Sequence, residues 1–204
     1  MRCTRSTALL LAALSLILYL VAPGPARAHP HVFVDSDLEL VFDANGLAGF
    51  QQTWTFDEMF SAMILEDFDA DADGALSPAE VQGIRDGAFA NVKQWNYFTH
   101  VTIGGKDFPV RLVTDFDAKV VKGRLQYRFF TPCQVVSGSG PSKVTVTVFD
   151  PDYYADFLPP YLDDVSVTGG EGWRVALDQY KDPRAVFSQW MITPTVVEVR
   201  FSRP

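Results

Sequence analysis

The sequence predicts an α+β protein: a β-rich, sandwich-like or mixed sheet with an inserted helix–loop–helix. Two observations lead to this class. Apolar residues recur at every second position over most of the chain after residue 28, which is typical of half-buried strands. Between about residues 57 and 95 the spacing changes to that of two amphipathic helices around an aspartate-rich stretch. We therefore expect one domain, residues 29–204, with about seven to nine strands.

The first 28 residues are expected to be a secretory signal peptide. Arg2 and Arg5 precede an apolar run from Ala8 to Ala22, and Ala26-Arg27-Ala28 is a cleavage site of the A-x-A type. The apolar run is shorter than the ~20 residues that cross a bilayer, and helix breakers follow it. We therefore predict export to the periplasm, without membrane insertion after cleavage.

The composition excludes some partners. The chain has 17 Lys and Arg against 25 Asp and Glu, a formal net charge of −8, and the signal peptide removes three of its arginines. Such acidity argues against nucleic-acid and anionic-membrane partners. Cys133 is the one cysteine after cleavage, so no intrachain disulfide is expected, and its apolar neighbours favour burial.

The predicted strands begin directly after the cleavage site. Apolar residues from Val32 to Phe42 alternate with acidic ones, and Asn45-Gly46 is a favoured hairpin turn into a second strand at 49–56. The segment 178–192 fits either a surface helix or irregular structure. Further strands are predicted at 97–103, 108–116, 125–131, 144–148, 165–168, 174–177 and 196–201.

The most specific motif is the stretch from Asp69 to Glu80. It matches the twelve-residue calcium loop of the EF-hand type, which supplies oxygen ligands from positions 1, 3, 5, 7, 9 and 12. Gly74 occupies position 6, where the backbone turns sharply. The sequence therefore predicts a Ca²⁺ site. Its expected ligands are Asp69, Asp71, Asp73, Ala75 through its carbonyl, Ser77 and Glu80.

Helices are expected on both sides of this loop. Apolar residues recur at helical spacing from Phe56 to Phe68, and Ser77-Pro78-Ala79-Glu80 is a capping box that starts a second helix running to about Val92. A second calcium loop is missing, because Asp115–Lys119 lacks the glycine. A solitary loop favours a structural role over a sensor. The aromatic residues nearby are assigned to the core: Phe56, Phe60, Phe89, Trp95 and Tyr97.

Cleavage would create a new amino terminus, His29-Pro30-His31. The terminal amine and the imidazole of His29 form a chelate, to which His31 adds a ligand, and imidazole suits nickel, cobalt, zinc and copper. Pro30 has no amide proton, so a square-planar site through deprotonated amides is blocked. His100 is a third candidate ligand, although a strand histidine is more often structural. The residues alone leave a metal site and an ordinary polar terminus about equally open, and two of the three histidines falling in the first three mature residues slightly favours the metal site.

These features together resemble a known family. The segment from His29 to Asp35 behind a signal peptide, the calcium-type loop, Asn96-Tyr97-Phe98 and Phe149–Tyr154 are similar to a bacterial domain-of-unknown-function family. Its members are described as periplasmic components of ABC-type transport systems, often encoded beside nickel/cobalt or zinc transporters. The resemblance implies an accessory to metal transport whose partner is an inner-membrane metal transporter. It carries over no catalytic residue.

We therefore expect a non-enzymatic periplasmic calcium-binding protein that serves transition-metal transport or homeostasis. The alternative is a calcium-stabilised interaction module without a transition-metal site. A copper oxygenase built on the terminal histidines is disfavoured, because the sequence has no catalytic triad, zinc-protease motif or Cys/His pair.

Overall fold

The computed structural model describes residues 30–138, 140–181 and 193–204. The predicted signal peptide, His29 and most of the ambiguous segment 178–192 lie outside these residues. Strands make up 50% and helices 20% of the described chain. The predicted α+β class is therefore wrong: the protein is mostly β. The physical reason is that the helices form one small insert beside two sheets and build no layer of their own.

The first sheet has six strands, in mixed orientation. They are β1 (Val32–Phe42), β2 (Gly46–Phe56), β5 (Thr114–Val121), β6 (Arg124–Val136), β8 (Ala155–Leu158) and β9 (Ser166–Thr168). The order across the sheet is β5-β6-β2-β1-β8, and β9 also pairs with β1. The pairs made by β2 are antiparallel, whereas β8 and β9 run parallel to β1.

Within the described ranges the second sheet has five strands, all antiparallel to their neighbours. They are β3 (Thr99–Ile103), β4 (Lys106–Phe108), β7 (Ser142–Val148), β10 (Arg174–Lys181) and β11 (Thr195–Ser202). Their order is β10-β11-β7-β3-β4.

Two differences from the predicted strands have local causes. A strand was expected over 108–116, but β4 ends at Phe108 and β5 begins at Thr114. Pro109 follows Phe108 and has no N–H to donate, which explains the break. The short strand β8 was not predicted, because its four residues are too few for a clear alternating pattern.

The helical insert connects β2 to β3. It contains α1 (Glu58–Phe68), α2 (Pro78–Asp86) and a 3₁₀ segment (Phe89–Phe98); a second, three-residue 3₁₀ turn lies elsewhere, at Leu162–Asp164. The carboxylate of Asp57 caps α1 by accepting from the Phe60 N–H at 2.9 Å. Among the described residues, no helix has the length and apolar character needed to span a bilayer.

The second helix is shorter than predicted. The apolar pattern indicated one helix to about Val92, but α2 ends at Asp86 and the chain continues as a 3₁₀ segment. Gly87 lies at this break, packed so closely on Phe68 that a Cβ there would come within 3.0 Å of the ring. The end of α2 is therefore set by its contact with the end of α1.

The two sheets share one core. Phe42 in β1 meets Phe201 in β11 edge to face, with ring centroids 5.1 Å apart. The buried amide of Gln52 in β2 donates to the Thr99 hydroxyl in β3 at 3.0 Å and to the Thr131 hydroxyl in β6 at 2.8 Å. Polar and apolar contacts thus both tie the sheets together.

Candidate functional site

The loop between α1 and α2 brings three carboxylates together. Ligand oxygens of Asp69, Asp71 and Asp73 all lie within 4.8 Å of one another. Two oxygens bound to the same Ca²⁺ at 2.3–2.6 Å cannot be more than ~5.2 Å apart, so the spacing fits one such ion. Asp69 is partly buried and the other two are exposed.

Hydrogen bonds inside the loop shape it around these carboxylates. The Asp69 carboxylate accepts from the Gly74 N–H at 2.9 Å and from the Asp73 N–H at 3.3 Å. The Asp73 carboxylate accepts from the Ala75 N–H at 2.8 Å. Gly74 has φ +79°, a left-handed conformation that glycine adopts without strain. The turn therefore occurs where the sequence pattern requires a glycine.

Glu80 joins the two ends of the loop. Its Oε1 accepts from the Ala70 N–H and its Oε2 from the Ser77 N–H, both at 2.8 Å. The Ser77 hydroxyl accepts in return from the Glu80 N–H at 3.4 Å, which is the capping box of α2. Glu80 is not part of the three-carboxylate group. To bind a cation through both oxygens, it would have to exchange these bonds for the ion.

Charge repulsion remains within the loop. The negative charge of Asp73 raises the pKa of Asp71. The hydrogen bonds from Ser77, by contrast, lower the pKa of Glu80. No Lys or Arg occurs between Asp69 and Glu80. A bound cation would therefore relieve repulsion that no basic side chain of the loop offsets.

The histidines are placed in different parts of the fold. His31 is exposed just before β1. Its backbone N–H donates to the Tyr154 carbonyl at 2.8 Å, and the centroids of the His31 and Tyr154 rings lie 5.0 Å apart. His100 lies in β3 of the second sheet, where it stacks on Phe149 with 4.0 Å between ring centroids. Burial lowers the pKa of His100. His29 lies outside the described residues.

The structure therefore does not assemble a three-residue histidine site within the part of the chain that it describes. No group of three His, Cys, Asp or Glu side chains there includes His31 or His100. The Nε2 of His100 is buried without a hydrogen-bond partner. A ligand role for His100 would require a rearrangement around Phe149.

Sequence reasoning missed a cavity of about 560 Å³ between the helical insert and the first sheet. The predicted core residues Phe56, Phe89 and Tyr97 are buried, whereas Phe60 and Trp95 are partly exposed. All of these except Tyr97 line the cavity. Its walls come from segments far apart in sequence, so no local pattern indicates it.

Comparisons with known proteins place the chain without assigning an activity. A family described as "Protein of unknown function (DUF1007)" matches residues 14–179, which include the loop and all of the residues that line the cavity. A relative from Spirochaeta aurantia, "Uncharacterized 15.5 kDa protein in trpE 3'region", is 25% identical over 136 residues. That alignment covers 67% of this chain and 96% of the relative.

Proposed function

This chain belongs to the DUF1007 family of proteins of unknown function, and from that premise we propose that it is a periplasmic calcium-binding protein. We further propose that it acts as a non-enzymatic accessory to the transport or homeostasis of nickel, cobalt, zinc or copper. The acidic loop carries the calcium part: its three aspartates are within 4.8 Å of one another at positions 1, 3 and 5 of a twelve-residue ligand pattern.

Several properties of the loop support binding of a hard cation. Its candidate ligands are all oxygens, as Ca²⁺ prefers. Four of them are carboxylates: Asp69, Asp71, Asp73 and Glu80. Internal hydrogen bonds to the carboxylates of Asp69 and Asp73 hold the loop in a turn that brings the aspartates together. The aspartates repel one another, and the charge of Asp73 raises the pKa of Asp71.

The transition-metal part of the proposal rests on His29 and His31. The exposed position of His31 leaves its imidazole accessible, and His29 would offer its ring and, after cleavage, a free amine. The terminal amine must be deprotonated to bind and ordinarily has a pKa of about 7.7–8.0, so affinity should fall as the pH drops below about 8. The proposed partner, an inner-membrane metal transporter, is inferred from the family resemblance alone.

Calcium titration by calorimetry tests the main proposal. The mature protein, residues 29–204, should bind one Ca²⁺ per chain. Asp69→Asn should weaken binding at least about tenfold, because it removes a charged ligand oxygen. Asp67→Asn is the matched control: the same chemical change two residues earlier, on an exposed position of α1 outside the predicted ligand set. Absence of binding at about 10 mM Ca²⁺, or equal affinity in both variants, contradicts the proposal.

A second titration separates the transition-metal site from the calcium loop. Ni²⁺ should bind the mature protein. One extra residue before His29 should weaken Ni²⁺ binding at least about tenfold. Equal Ni²⁺ affinity in the two proteins would remove the terminal chelate from the proposal. His100→Gln tests the third candidate ligand in the same assay.

The alternative, a calcium-stabilised interaction module, has one observation in its favour. Met59 and Met63 lie one turn apart on α1 and are 72% and 49% exposed, so α1 carries an uncovered apolar strip. A protein that binds Ca²⁺ and is stabilised by it, but binds no Ni²⁺, Co²⁺, Zn²⁺ or Cu²⁺, would favour this reading.

A further inference from the structure

The cavity beside the insert has the dimensions of a ligand site. Its volume of about 560 Å³ falls within the 300–1,000 Å³ of typical small-molecule pockets. Its walls come from both parts of the molecule: Phe60 belongs to α1, Phe89 and Trp95 to the 3₁₀ segment, and Trp54 and Phe56 to β2. Nine of its fifteen lining residues are aromatic.

The charged residues of this cavity all have the same sign. Asp150 and Asp152 line it, and among the residues that the structure describes no Lys, Arg or His lines it. Aromatic faces carry a negative electrostatic potential that attracts cations within about 6 Å of the ring. An aromatic wall and carboxylates together therefore favour a positively charged ligand and disfavour an anion.

Asp150 strengthens the preference of the cavity for a positively charged ligand, because its carboxylate is buried. The residue is 8% exposed, and its two carboxylate oxygens accept from the backbone N–H groups of Asp152, Tyr154 and Ala155 at 2.9–3.0 Å. Within the described residues, no basic side chain forms an ion pair with Asp150. Buried carboxylates are usually paired with a cation. Here the adjoining cavity leaves space for one.

We infer that this cavity binds an organic ammonium ion with an apolar or aromatic body. The aromatic rings surround the body and the ammonium group, and the carboxylates of Asp150 and Asp152 attract the charge. This site is separate from the calcium loop, and the inference does not depend on the proposed function.

Three probes of similar size and different charge test the inference: 2-phenylethylammonium, 2-phenylethanol and 3-phenylpropionate. Each is titrated to about 10 mM, since ligands this small seldom bind more tightly than micromolar. Binding is followed by the indole N–H signals of ¹⁵N-labelled protein. The signals of Trp54 and Trp95 should shift, and that of Trp173, which does not line the cavity, should not. The cation should bind at least about fivefold more tightly than the alcohol, and the anion most weakly.

Two variants locate the site. Asp152→Asn should reduce the preference for the cation over the alcohol about threefold, because it removes one exposed carboxylate. Asp163→Asn removes the same charge at an exposed position that does not line the cavity and should leave the preference unchanged. Val92→Phe should fill the cavity and weaken all three probes together. Thermal melting of each variant confirms that it is folded.

The inference is overturned by several results. Binding of none of the probes, equal binding of cation and alcohol, or tighter binding of the anion would each reject an ammonium site. Shifts confined to Trp173 would reject the location. Equal loss of preference in Asp152→Asn and Asp163→Asn would show that only the net charge of the protein matters.

Discussion

The helical insert contributes to both the acidic loop and the aromatic cavity, but the two are built in opposite ways. The loop draws its polar groups from twelve consecutive residues, most of them exposed. The cavity draws its walls from α1, the 3₁₀ segment and several strands of the first sheet, mostly through buried rings. Local sequence therefore determines the chemistry of the loop, whereas long-range packing determines the shape of the cavity.

The two regions also differ in what stabilises them. Hydrogen bonds from backbone N–H groups to Asp69, Asp73 and Glu80 hold the loop, and repulsion between aspartates works against it. Apolar burial holds the cavity walls. Trp54, 2% exposed, meets the Phe129 ring edge-on at 4.7 Å and the Phe157 ring at 5.0 Å. Substitutions should therefore affect the stability of the two regions on different scales.

The largest expected effect is the loss of Trp54. Trp54→Ala should lower the free energy of unfolding by about 3–5 kcal/mol, because it removes the buried ring at the centre of an aromatic cluster. Calcium affinity of the folded fraction should change less than about threefold, since none of the aromatic rings that Trp54 meets belongs to the loop. Urea denaturation and calorimetry measure the two quantities.

The partly exposed Trp95, which lines the same cavity, is the control for that prediction. Trp95→Ala should cost less than half as much stability as Trp54→Ala, because part of its surface already meets water. Equal costs for the two tryptophans, or a large loss of calcium affinity in Trp54→Ala, would show that loop and cavity act as one unit.

This contrast explains what the sequence could predict. The loop pattern, the glycine at position 6 and the capping box are encoded at fixed short spacings, so Gly74 and the pair Ser77 and Glu80 occur in the structure as the pattern requires. The first strand follows from simple alternation of apolar residues from Val32 to Phe42. Ion binding itself stays a prediction, as does the terminal histidine site.

The parts that sequence reasoning missed depend on contacts between distant residues. The α+β class was wrong because a clear helical motif occupies little of the chain, while strands with weak patterns, such as β8, contribute much of the sheet. The end of α2 depends on the contact of Gly87 with Phe68, which lies in another helix. The cavity depends on which aromatic rings meet, and spacing along the chain does not encode that.

An intermediate effect is expected from Ser77, which belongs to the loop and to α2. Ser77→Ala removes the hydroxyl that accepts from the Glu80 N–H and should lower the free energy of unfolding by about 1 kcal/mol. Calcium affinity should fall modestly, because Glu80 loses part of its positioning. Ser166→Ala, an exposed serine in β9, is the control and should change neither quantity. An unchanged stability in Ser77→Ala would mean that the capping box is not formed in solution.

The smallest effect on stability, and the most diagnostic, is expected from Asp71, because its two consequences have opposite signs. Asp71→Asn removes repulsion with Asp73, so the calcium-free protein should melt at the same or a slightly higher temperature. Calcium affinity should nevertheless fall at least about tenfold, because a charged ligand is lost. If the acidic cluster served only to stabilise the fold, Asp71→Asn would lower the melting temperature instead.

The pH dependence checks this interpretation. The pKa of Asp71 is raised by Asp73, so the folded protein holds this proton more tightly than the unfolded chain does. The contribution of Asp71 to stability is thus most favourable at low pH and is lost as the pH rises through the raised pKa. The stability advantage of Asp71→Asn over the natural protein should therefore be present near pH 7 and vanish as the natural protein takes up the proton. Melting in a calcium chelator between about pH 3.5 and pH 7 measures it, with Asp67→Asn as the charge-matched control. If the stability advantage of Asp71→Asn grew as the pH fell, the repulsion between Asp71 and Asp73 would not be its cause.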